Sequence, residues 1–249
     1  MKKISYIIYK IVLFIVKTVY PKIEAEGAEN LPDEPCIIVA NHAKMNGPIC
    51  CEIYMPRKRY TWCAAEMMHL REVPKYAYSD FWSQKPWYIK PFYKLLSYII
   101  APLSVCVFNN ADTIGVYKDK RIISTFKESL NKLNTGYDVV IFPEYNKKHN
   151  NIIYKFQEGF IDIAKIYYKR YQKEITFVPM YIAPQLKKMY IGKGTKFNKD
   201  ADISAERQRI TSYLMDAITD IALNLPGHTV IPYANIPQKD YPSNKGEER

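Results

Sequence analysis

The chain has 249 residues, 48% hydrophobic and 14% aromatic, which is enough apolar material for a sizeable core in one α/β domain or two small ones. That composition excludes an intrinsically disordered chain. Lys and Arg outnumber Asp and Glu by 36 to 25, so two readings compete. Either an anionic partner is present (a membrane, a phosphorylated substrate or nucleic acid), or the excess serves only solubility.

The first 21 residues predict a helix ended by Pro21. Its longest apolar run, Ile11 to Val16, is too short to span a bilayer. Lys3, Lys10 and Lys17 fall seven apart and form one stripe on a circumference otherwise filled by Ile, Val, Leu, Phe and Tyr. Such a helix suits the plane of a membrane interface; the competing expectation is a helix docked on the protein's own core.

Ile23 to Glu26 reads as a short strand, GAENLPDEP as a turn-rich connector and Cys36 to Ala40 as a buried strand. GPICCEIYM predicts a helix and RYTWCAAE a second strand. Residues 70–100, aromatic and punctuated by proline, mix loop and short helix. They are a candidate membrane-facing or acyl-binding region, against the alternative of ordinary core. SVCVFN predicts a strand, Asp112 to Leu133 a helix, and Gly136 its C-cap. YDVVIFPE, EITFVPMYIAP and KKMYIGKGTKF read as strands, FQEGFIDIAKIYYKRY as a helix, and Asp202 or Ser204 as the cap of a last helix reaching about Leu223. Alternating strands and helices predict an α/β layered domain around a mostly parallel sheet. The polar end, NIPQKDYPSNKGEER, predicts irregular structure.

Cys36, Cys50, Cys51, Cys63 and Cys106 are odd in number and lack short metal-ligand spacing, so they read as reduced thiols of a cytosolic protein, mostly buried. Cys50 or Cys51 as a nucleophile beside His42 is the alternative. Arg57-Lys58-Arg59 can meet lipid or coenzyme phosphates, or form a solvated basic turn. His69 and His228 carry no motif, and His149 lies in a polar loop.

His42 stands at the end of the apolar run Ile37–Ala40, a place suited to a base. GAENLPDEPCIIVANH, IFPEYNKK, FVPMYIAP and YIGKGTKF then follow in one order, ahead of a final helix. Over roughly residues 25 to 223 this order resembles the glycerolipid acyltransferases, the family that includes lysophosphatidic acid acyltransferases. The resemblance implies transfer of an acyl group from acyl-CoA or acyl carrier protein to a lipid-like alcohol at the cytoplasmic face of a membrane. No metal or resident cofactor is implied, and no covalent acyl-enzyme. It divides the chain into a membrane-associating helix (1–21), an acyltransferase-like domain (22–235) and a polar tail (236–249).

Asn41 and His42 match the first family motif, in which the histidine is the general base and an Asp five positions on orients it. Here Gly47 occupies that position. Asn110 stands where the second motif carries an acceptor-binding Arg. Phe142, Pro143 and Glu144 keep the third motif, whose Gly, Thr and Arg are replaced by Tyr145, Asn146 and Lys147. Val178-Pro179-Met180 matches the fourth.

These matches make His42 and Glu144 the candidate catalytic residues, and Asn41, Asn110, Phe142, Pro143 and Lys147 the candidate substrate-binding ones. Glu52 and Glu144 are candidates for the missing carboxylate, and Asn46 or a backbone carbonyl for fixing the imidazole tautomer. Lys147 with Lys148 forms either an anion clamp or a solvated pair. A lysine in place of an arginine weakens bidentate phosphate recognition, so the expected acceptor extends beyond glycerol phosphates. The other functional expectation is an impaired relative that binds lipid or acyl chains. A nucleic-acid binder rests on charge alone, since no recognised module is present.

Overall fold

The computed structural model describes residues 2–246, apart from the Lys2 side chain. In chain order, α1 (Lys2–Val19) precedes β1 (Glu24–Glu26), β2 (Ile37–Ala40), α2 (Asn46–Tyr54) and β3 (Arg59–Ala64). Next come α3 (Val73–Ala77), α4 (Lys90–Phe108), β4 (Thr113–Val116) and α5 (Ile122–Asn134). The chain continues through β5 (Asp138–Ile141), β6 (Glu144–Lys148), β7 (Tyr154–Phe156) and α6 (Asp162–Tyr171). It closes with β8 (Thr176–Ala183), β9 (Lys188–Ile191), β10 (Thr195–Lys196) and α7 (Ile203–Asn224). Two compact units form, Met1–Pro21 with Trp62–Glu128 and Lys22–Thr61 with Ser129–Arg249.

The second unit holds the expected α/β layer. Its strand order is β1-β9-β8-β2-β5-β3. β2 pairs in parallel with β5 and β8, β3 with β5, and β1 with β9, while β9 and β10 run antiparallel to β8. Ile37, Ile38, Val39 and Ala40 are wholly buried, as a strand inside a parallel sheet covered on both faces requires. α2 and α7 pack against β8. Asp202 caps α7, its carboxylate accepting from the amides of Ser204 (2.8 Å) and Ala205 (3.2 Å). Gly136, at φ 94°, ends α5 as expected.

The first unit packs Met67, Val73, Ala77 and Ala101 into a small core, joined by Tyr76, Phe81, Trp82, Ile100, Val105 and Phe108. α4 turns Ser97 and Ala101 inward and leaves Phe92, Leu95, Tyr98, Ile99 and Leu103 exposed along its other face. On α1, Tyr9 is buried, whereas Ile4, Ile7, Ile8, Ile11, Phe14 and Ile15 are exposed. The helix is therefore both docked and apolar on its outer face.

Two expectations need correction. SVCVFN is no strand: it forms the last turns of α4, with Asn109 N–H reaching Val105 O at 3.1 Å. Ser104 and Val105 continue the inward face begun by Ser97 and Ala101, so helical packing overrides the β-branched valines. The helix predicted from Asp112 begins only at Ile122, and Thr113–Val116 is a strand. Gly115 brings this strand close to Ala65 and Met68, where a Cβ would meet the Met68 sulfur at 2.9 Å. The polar end is irregular but tied down. Asn244 is buried and donates to Ala222 O (2.7 Å), and Val230 N–H donates to Pro242 O (2.8 Å).

Candidate active site

β2 and β5 pair with Val39 opposite Ile141, so Asn41-His42 and Phe142-Pro143-Glu144 leave the sheet together. Both segments emerge at the carboxyl ends of parallel strands, where open α/β sheets bind ligands. The Asn41 amide extends the ladder past its last pair, donating to Ile182 O (3.1 Å) and accepting from Ile182 N–H (2.7 Å). Asn41 thus fixes the point at which His42 departs.

Glu144 is buried, and each of its oxygens accepts a backbone N–H, one from His42 (2.6 Å) and one from Tyr154 (2.9 Å). It therefore ties the His42 main chain to the hairpin of β6 and β7. Burial raises its pKa from the ordinary 4.5 to about 7 against the lowering effect of those two hydrogen bonds. The half-buried His42 ring has the Phe142 ring at 5.2 Å and 59°, and the Tyr233 ring at 6.1 Å and 80°. Tyr233 in turn meets Tyr154 at 5.9 Å.

Gly47 sits where this turn closes, its N–H donating to His42 O at 3.1 Å. A Cβ at position 47 would lie 2.5 Å from that oxygen and 2.8 Å from Phe142 Cε1. No side chain enters there without backbone movement, and a carboxylate could not be restored by substitution alone. Ala43 and Lys44 bend the turn with φ of 45° and 55°. The Asn46 side chain donates to Ala43 O (3.0 Å) inside it.

The other sequence candidates have their own surroundings. Lys147, Lys148 and His149 are exposed on and beside β6. Asn110 belongs to the first unit, where its amide donates to Ser5 Oγ and Cys106 O, both at 2.7 Å. Glu52 pairs with Arg59 at 2.7 Å, and Arg57 with the buried Asp138 at 3.1 Å. Both arginines thus serve internal bonds. Cys50 and Cys51 are wholly buried, and burial pushes the Cys51 thiol far above its ordinary value, which argues against a nucleophile. His69 meets the Tyr117 hydroxyl at 3.2 Å, and the buried His228 meets that of Tyr181 at 2.8 Å. Among the described residues, no three His, Cys, Asp or Glu side chains gather to hold a metal. Sequence reasoning missed Tyr154 and Tyr233, because neither lies in a motif.

The family model described as Acyltransferase matches residues 22–183, well over half the chain. The chain belongs to the acyltransferase family. The matched span carries Asn41, His42, Phe142, Pro143 and Glu144, so the family segments and the clustered residues coincide. No curated protein matches the sequence. Among solved structures, the 1-acyl-sn-glycerophosphate (LPA) acyltransferase PlsC from Thermotoga maritima is similar at 13% identity and a TM-score of 0.49, covering 90% of this chain and 81% of that one.

Proposed function

We propose that this acyltransferase-family chain moves an acyl group from a thioester donor, acyl-CoA or acyl carrier protein, to a hydroxyl of a lipid-like acceptor. His42 is the general base. Its imidazole takes the hydroxyl proton as the oxygen attacks the thioester carbonyl; the tetrahedral intermediate collapses, and the departing thiolate recovers the proton. The observation that carries this reading is the Glu144 bridge. One buried carboxylate from the third family motif accepts the main-chain N–H of the first motif's histidine.

Recognition of the acceptor departs from that expected for a glycerol phosphate. Asn110 is engaged within its own unit, and Lys147 offers a point charge rather than a bidentate fork. The exposed apolar stripes of α1 and α4, with Trp87 and Tyr88 exposed just ahead of α4, support attachment to a membrane, on its cytoplasmic face in our reading. Trp87–Phe108 is long and apolar enough to cross a bilayer. The packing of Ser97 and Ala101 against the first unit's core supports lying on the surface instead.

Gly47 favours a second reading, an impaired relative that binds lipid without turnover, because losing the carboxylate behind a catalytic histidine costs about 10⁴ in the serine-protease template. Product analysis by mass spectrometry separates the two. Acyl-CoA and acyl carrier protein thioesters are offered to lipid alcohols in vesicles. An acylated product supports transfer; vesicle binding without product from any pair supports the second reading.

A further inference from the structure

Residues 225–246 lie beyond the family match, yet this C-terminal segment returns to the candidate active site. It is anchored at two places in its own unit. The buried Asn244 accepts from His228 N–H (2.8 Å) and donates to Ala222 O, and the Tyr181 hydroxyl meets His228 Nε2 (2.8 Å). His228 Nδ1 lies 2.8 Å from Pro226 O, a pure acceptor. Nδ1 therefore carries a proton. Anchored in this way, the segment makes two contacts with the turn that carries His42. Tyr241 receives a hydrogen bond from Lys44, whose ammonium also lies 4.8 Å from the Tyr241 ring centroid. Tyr233 stands edge-on to the His42 ring.

We propose that Tyr233 is a positioning residue that holds the His42 imidazole in its working orientation, a task that a carboxylate would perform in the family's usual motif. The inference rests on His42 being the base. With Phe142 as the other aromatic neighbour, the imidazole stands between two rings. Phe142 comes from the segment that the family model covers, whereas Tyr233 belongs to the segment it does not. Tyr154 backs the Tyr233 ring, so the β6–β7 hairpin, already tied to the His42 amide through Glu144, also supports the clamp. The contact with His42 is made by the ring, so phenylalanine should replace it.

The test compares Tyr233→Ala and Tyr233→Phe in the full chain. The rate of thioester-dependent transfer is measured together with the order of the His42 ring, by NMR relaxation with selectively labelled histidine. The four histidines are assigned through loss of one signal in His42→Gln. For Tyr233→Ala we expect kcat to fall about 10- to 100-fold, the scale of a misplaced catalytic group, with KM changed less than twofold and the His42 ring newly mobile. For Tyr233→Phe both rate and ring order should stay within twofold of wild type. A rigid His42 ring in Tyr233→Ala, or a mobile ring with full kcat, would overturn the proposal, as would failure of Tyr233→Phe to rescue. If wild type transfers nothing, the reading of His42 as base fails, whereas the ring-order measurement still decides whether Tyr233 positions it.

Discussion

At position 47 a single hydrogen atom decides what the site can contain. The turn from His42 to Gly47 closes so tightly that an added Cβ meets a backbone oxygen at 2.5 Å. Gly47→Asp therefore does not rebuild a His-carboxylate pair. It should lower stability by about 1–3 kcal/mol, as overpacking does, and leave transfer no faster than wild type; urea unfolding and rate measurements check both. Glu144 carries a second residue-scale consequence. With its pKa raised to about 7 from 4.5, the folded state holds a proton that the unfolded state releases at lower pH. Its contribution to stability is present below pH 4.5 and is lost as pH rises through 7. The unfolding free energy of wild type minus that of Glu144→Gln should thus decline by about 1–3 kcal/mol between pH 5 and 8. A flat difference would show that the carboxyl does not titrate there.

Among the elements, α4 gives the clearest physical signal outside the site. Phe92, Leu95, Ile99 and Leu103 recur at three- and four-residue spacing and are 47–65% exposed. A soluble monomer rarely leaves such a stripe uncovered. Leu95→Glu with Ile99→Glu should weaken binding to anionic vesicles by at least tenfold in flotation assays while leaving thermal unfolding unchanged, because neither side chain is buried. Unchanged flotation would remove α4 from the membrane contact. The same helix shows where sequence reading fails. Six residues of SVCVFN, with two valines, have no period long enough to separate strand from helix, and only the inward face continued from Ser97 and Ala101 resolves it. Conversely, the strand Thr113–Val116 is invisible within the helix that the sequence predicts from Asp112, because four residues with one glycine leave no alternation.

For the whole molecule, the parallel sheet was legible because β2, β5 and β8 are continuous apolar runs bounded by turn residues, and a buried parallel strand needs little else. The candidate site was legible only in part. Asn41-His42 and Phe142-Pro143-Glu144 announce themselves at strand ends. That Glu144 bonds to the His42 backbone depends on register, which no short segment encodes. The same holds for Tyr233, some ninety residues beyond Phe142 in the chain and adjacent to the same ring. The charge balance of 36 basic to 25 acidic residues agrees with an anionic surface as partner, yet two of the most suggestive cations, Arg57 and Arg59, are engaged internally.

The most direct measurement is the initial rate of free-thiol release from acyl-CoA, with acyl acceptor in vesicles, for wild type and His42→Ala. With His42 as the base, release should depend on the acceptor and fall about 10²- to 10⁴-fold in the variant, the usual worth of a general base. Equal rates in the two proteins would contradict that role.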